Sequence, residues 1–181
     1  MKTKSNFIKQ AAIAAVVIAL LAGCKSDKYN FLSEEDLTWM VYSVNQTLKF
    51  KNDSGDIRLY TISGVFRGYK GDEGSTDEHV NALIVPSAGF ASTSSNGILE
   101  VVRRSAGAEV VLTWPFFSAT AYISSLVPTV DTIGGVPFSD VYTINVLVTD
   151  SVNTIEQLKY SRAKGCVQYT EYSGETWTLS N

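Results

Sequence analysis

The sequence predicts an all-β protein: an antiparallel sandwich or half-open barrel of about 8–10 short strands, with at most one short helical turn near the start. Three observations carry that reading. From residue 38 onward apolar and polar residues alternate with period two, as half-buried strands require. The alternating runs are short and are separated by Gly, Pro, Asn, Asp and Ser, which build turns. No long stretch repeats its apolar residues at the helical period of about 3.6.

Ahead of the predicted strands lies "MKTKSNFIKQAAIAAVVIALLAGC". Lys2, Lys4 and Lys9 give it a positive start, and residues 11–22 form an unbroken apolar run, the layout of a secretory signal. A transmembrane helix needs roughly twenty apolar residues, so this run is too short to span. Its end, Leu21-Ala22-Gly23-Cys24, resembles the bacterial lipobox. That resemblance implies a diacylglyceryl group on the Cys24 thiol, cleavage before Cys24, and stable anchoring by two or more acyl chains. The expected organisation is a signal peptide over residues 1–23, a lipidated tether over 24–36 and a single β domain over 37–181. Residue 25 is lysine, where enterobacterial sorting uses aspartate to retain a lipoprotein in the inner membrane. The resemblance therefore implies the outer membrane, with the side it faces left open.

Removing residues 1–23 deletes three lysines and no acids, so 15 basic and 18 acidic residues become 12 and 18, a net charge of −6. An acidic domain lacks the basic footprint that nucleic-acid phosphates demand. With Cys24 acylated, Cys166 is the only other cysteine and no intramolecular disulfide can form. In the alternating segment "KGCVQYTEY", Cys166 reads as a small buried thiol, since a reactive thiolate needs an electropositive, partly open setting.

Element by element, Ser33 and Asp36 are spaced to cap a helical turn. Residues 38–51 alternate with Met40, Tyr42, Val44, Leu48 and Phe50 on one side, which predicts a strand. Asn52-Asp53-Ser54-Gly55-Asp56 turns the chain into a second hairpin arm, "IRLYTISGVF". "GYKGDEGSTD", residues 68–77, is acidic, glycine-rich and free of aliphatics, which predicts an exposed loop. Further strands are expected in "HVNALIV", "NGILEVVRR", "EVVLTWPFF", "TAYISSLV", "FSDVYTINVLVTD", "QLKYSR", "CVQYTEY" and "TWTLS".

Chemistry-bearing residues are sparse. His79, the single histidine, follows Asp77 and Glu78, and Asp72 adjoins Glu73. Metal sites want three or four convergent ligands, so no metal or cofactor is expected. No Gly-x-Ser-x-Gly elbow marks a nucleophile, and His79 reads as a solvated loop or strand-edge residue. Adjacent loop carboxylates are poorly placed to flank a glycosidic bond. Arg103 and Arg104 point to opposite faces of a strand. The candidate ligand-binding residues are Trp114, Phe116 and Phe117, where Pro115 interrupts a strand and leaves large apolar groups near a bend.

The lipobox, "YSVNQTLKFKNDSGD", "FSDVYTINV" and the closing "YSRAKGCVQYTEYSGETWTLS" resemble segments of uncharacterised lipoproteins of Bacteroidetes type. A remoter likeness is to curved-sheet lipoprotein carriers of the LolA and LolB type, which implies a concave apolar face. The expected function is that of a lipid-anchored, non-enzymatic binding or scaffolding module. Its partner would be a lipid, glycan or envelope protein. An envelope hydrolase or glycan-processing enzyme, with a site assembled only in the fold, is the alternative. A subunit of a surface assembly would instead expose a flat patch or an open sheet edge.

Overall fold

The computed structural model describes residues 28–72, 75–88, 96–114, 117–145 and 155–180, with backbone alone at 72, 114 and 117–120. The described chain begins with β1 (Lys28–Asn30) and one helical turn, α1 (Glu34–Leu37). Ser33 caps α1 as its spacing predicts: the Ser33 hydroxyl accepts the Asp36 N–H at 3.1 Å, and the Asp36 carboxylate accepts the Ser33 N–H at 2.9 Å. The strands that follow are β2 (Thr47–Asn52), β3 (Ile57–Asp72), β4 (Ser75–Ala88), β5 (Gly97–Arg104), β6 (Gly107–Trp114) and β7 (Phe117–Tyr122). After a 3-10 turn at Ile123–Ser125 come β8 (Thr129–Ile133), β9 (Val136–Asn145), β10 (Ile155–Ser161), β11 (Gly165–Glu171) and β12 (Thr176–Ser180).

Eleven strands pair antiparallel in the order β7-β6-β5-β4-β3-β2-β12-β11-β10-β9-β8, and the sheet curls into a half-barrel whose β7 end approaches β9. The fold class is thus the expected one, in its half-open form. β1 lies off this path, parallel to β4, with Lys28 opposite Ser75 and Asn30 opposite Asp77.

One hydrophobic cluster draws on strands from β2 to β12, including Leu48, Phe50, Ile62, Ile84, Leu99 and Leu158. Strands so far apart in the sheet can share a cluster only on the inside of the curl. That inside is closed by residues 32–46 of the same chain. The Trp39 ring lies 4.5 Å from Tyr142 and 5.9 Å from Tyr160, and the Tyr160 hydroxyl donates to the Trp39 carbonyl. Nearby, the Cys166 N–H donates to the Tyr42 hydroxyl at 2.7 Å. At the β2 to β3 turn, the Arg58 guanidinium stacks 3.8 Å over Trp177 and pairs with Glu171.

A bulge divides β11 between two cores. Tyr160 faces Cys166 and Lys159 faces Gln168, which leaves Val167 as the extra residue. Cys166 consequently packs against the main cluster, while Val167 joins Ile133 and Val141 in a second, smaller one.

The structure differs from the sequence-based reading in four places. Residues 38–46 are not a strand: Asn45 takes a φ of +67°, and Trp39 and Tyr42, three apart, are both buried in the plug. Residues 68–72 and 75–77 are strand, not loop, because β3 and β4 stay paired out to Asp72 opposite Ser75. This arm projects past β2, whose pairing ends at Thr47 opposite Thr61, and past β5, whose pairing ends at Val102 opposite His79. With few covering strands it needs no aliphatics, which hid it from a hydrophobicity reading. "TAYISSLV" is strand only to Tyr122, and β8 had no clear alternation to announce it. Residues 28–30, expected as tether, are strand β1 paired with β4.

Candidate functional site

Cys24 and Phe116 lie outside the described residues. Trp114 and Phe117 stand directly opposite each other where β6 meets β7, the outermost strand at one end of the sheet. Pro115 likewise lies outside the described residues.

The Asp77-Glu78-His79 trio does not converge. Neighbours on a strand point to opposite faces, so Glu78 faces away from both Asp77 and His79. His79 is not at an edge: it lies in β4 between Gly68 of β3 and Val102 of β5, its ring over Gly68 and its Nδ1 buried without a hydrogen-bond partner. Asp77 accepts from the Asn30 amide at 2.6 Å and lies 3.8 Å from Arg104. Glu78, only 1% exposed, accepts the Leu32 N–H at 2.9 Å and Arg67 Nε at 2.6 Å. Burial alone would raise the Glu78 pKa, but the Arg67 and Leu32 hydrogen bonds outweigh it and hold the carboxyl below its ordinary value. These acids fasten β1 and its following loop to β4. The sequence carried the signal, since Glu78 occupies the same alternate slot as the buried Val80, Ala82 and Ile84.

Arg103 and Arg104 do point apart and both meet carboxylates, Asp36 at 3.4 Å and Glu109 at 2.9 Å. Burial pushes the Cys166 thiol up to about 12, the reverse of what a nucleophile requires. Among the described residues, no three His, Cys, Asp or Glu side chains gather as a metal set.

Space for a ligand lies elsewhere. The void inside the curl measures about 10 Å³, the room of one water molecule. On the outer face, the β8–β9 hairpin folds back over β11 and β12 until Gly134, at φ +58°, meets the Thr178 methyl group. Beneath it runs a groove of about 680 Å³, within the range of about 300–1,000 Å³ typical of small-molecule sites. Ile133, Val136, Phe138, Val167 and Leu179 supply its apolar lining, and the exposed Lys51, Lys164 and Asp53 supply charge of both signs with a net positive excess of one. The bulge at Val167 and the left-handed turn at Gly134 create it. Four separate segments contribute, so no local motif announces it.

Such a groove can take a ligand with an apolar body and an anionic or polar end. Comparison with protein-family models, curated proteins and solved structures finds no match for this chain. The geometry is therefore the basis for a functional reading.

Proposed function

We propose that this chain is a lipid-anchored domain of the bacterial cell envelope, held at the outer membrane through Cys24, that binds a partner without transforming it. The observation that carries the reading is the groove of about 680 Å³ beneath the β8–β9 hairpin, which joins an apolar strip of Val136, Phe138, Val167 and Leu179 to Lys51, Lys164 and Asp53. Its ligand would place hydrocarbon or a ring face on Val136 and Phe138 and an acidic group toward the lysines. Electrostatic attraction of that kind orients a ligand, while apolar burial supplies most of the affinity.

Native mass spectrometry of the protein extracted from its own membranes tests this. The expected spectrum shows two additions: acyl mass that stays on Cys24 after denaturation, and a ligand mass that leaves on unfolding. Val136→Trp, which fills the groove, should remove the second addition and spare the first. A ligand mass that persists in Val136→Trp, or one absent from the wild-type protein, would refute the groove as the binding site.

A further inference from the structure

Three exposed aromatic rings gather near the end of the β3–β4 arm. Tyr29, Phe31 and Tyr69 are 58%, 60% and 61% exposed, yet they touch one another. Tyr29 stacks on Phe31 at 6.0 Å between centroids, and Phe31 meets Tyr69 edge-on at 6.3 Å. Alternation along β1 explains the gathering. Asn30 turns to the opposite face, where its amide holds Ser75 and Asp77, and leaves Tyr29 and Phe31 on the side of Tyr69. The exposed Lys28 and Lys70 lie next to these aromatics in sequence.

β1 runs parallel to β4 and starts opposite Ser75, so the chain enters the fold at the tip of the arm. Cys24 precedes Lys28 by four residues, which fully extended span at most about 14 Å. An acyl anchor at Cys24 therefore holds the arm tip within about that distance of the lipid.

We propose that the Tyr29, Phe31 and Tyr69 cluster is a membrane-docking surface that seats in the headgroup region of the bilayer holding the Cys24 lipid. The proposal rests on the reading of Cys24 as the anchor. Tyrosine suits this layer, since its ring is apolar and its hydroxyl remains in contact with water and headgroups. Interfacial segments sit roughly 5–10 Å into the headgroup boundary, a depth compatible with so short a link. Lys28 and Lys70 turn with Asn30 and Asp77 to the opposite face, so the aromatic face carries no cationic demand and a zwitterionic surface suffices. Docking sets the arm against the membrane and carries the outer-face groove on the body behind it.

The test uses the full lipidated chain in phosphatidylcholine vesicles, with tryptophan reporters Phe31→Trp and Ile57→Trp. Ile57 is exposed at the other end of β3, twelve residues from Tyr69, about 40 Å along an extended strand. Each spectrum is read as the difference from the wild-type chain, which carries Trp39, Trp114 and Trp177 in common with both reporters. The expected result is flotation with the vesicles, a blue shift at position 31 and loss of its added emission with brominated acyl chains, with no change at position 57. Flotation with position 31 unquenched would overturn docking and leave the anchor intact. Failure to float, with an unmodified Cys24 by intact mass, would overturn the anchor and docking together. A blue shift at position 31 that grows with protein concentration in the absence of lipid, without bromolipid quenching, would assign the surface to a second copy of the chain and overturn the proposal.

Discussion

The Cys166 thiol lines the small internal void beside Tyr42 and Tyr160, and burial pushes its pKa from an ordinary 9.0 up to about 12. In the unfolded chain the thiol ionises near its ordinary value, so the stability gained by keeping it neutral is fully present below about pH 9 and is lost toward pH 12. Tyr169, raised by burial to about 12, adds to the same alkaline limb. Two outcomes follow. Iodoacetamide at mildly alkaline pH should leave Cys166 unmodified in the folded protein and alkylate it after urea unfolding, as read by intact mass. Thermal melts taken from about pH 8 upward should decline, and Cys166→Ala should flatten the first part of that decline. Gly165, at φ +82°, is a second sensitive position, because an added Cβ would collide with the Tyr42 ring. Gly165→Ala should cost roughly 2–4 kcal/mol in urea unfolding, combining left-handed strain with overpacking. At this scale the sequence was informative about Cys166, whose alternating segment implied burial. It put Tyr42 on an apolar face but gave no sign of its partners, Gly165 and Cys166, more than a hundred residues away.

The strands with one face on the core were legible as elements: β2, β5, β9 and β11 alternate because each has an inside and an outside. The β3–β4 arm was not, since a ladder with solvent on much of its surface places no demand for aliphatic residues. α1 was legible through its capping pair alone. The ties between β1 and the arm are polar, and Glu78 dominates them. Arg67 is 55% exposed, so solvent screens its pairing with Glu78, while the Leu32 N–H loses its acceptor outright when the carboxylate is removed. Glu78→Ala should therefore cost about 1–3 kcal/mol, with faster hydrogen exchange over residues 28–37 as the local readout. Because the folded Glu78 pKa is lowered, its contribution is present above the ordinary carboxylate value of 4.5 and is lost as pH falls through the folded value. Glu78→Gln should accordingly show a shallower acid limb in pH-dependent melts.

The whole molecule is a curled sheet that closes its own interior and leaves its free volume outside, under a hairpin. A reading from residue pattern reached the half-barrel class but not this inversion, because the plug of residues 32–46 resembles a strand when scanned locally. The candidate groove was illegible for a related reason: β8 is short, and the groove is set by the return of the β8–β9 hairpin over β11 and β12. Replacing Cys24 with alanine should move the protein from the membrane fraction to the soluble fraction, as followed by sedimentation and immunoblot. β1 also stands apart from the serial path of the other eleven strands. It can be stripped away without breaking any other strand pair. Tension applied through the amino-terminal end would load its three ladder pairs and the Asn30 and Glu78 contacts first, making this short strand a mechanical fuse that yields before the body of the domain feels the pull.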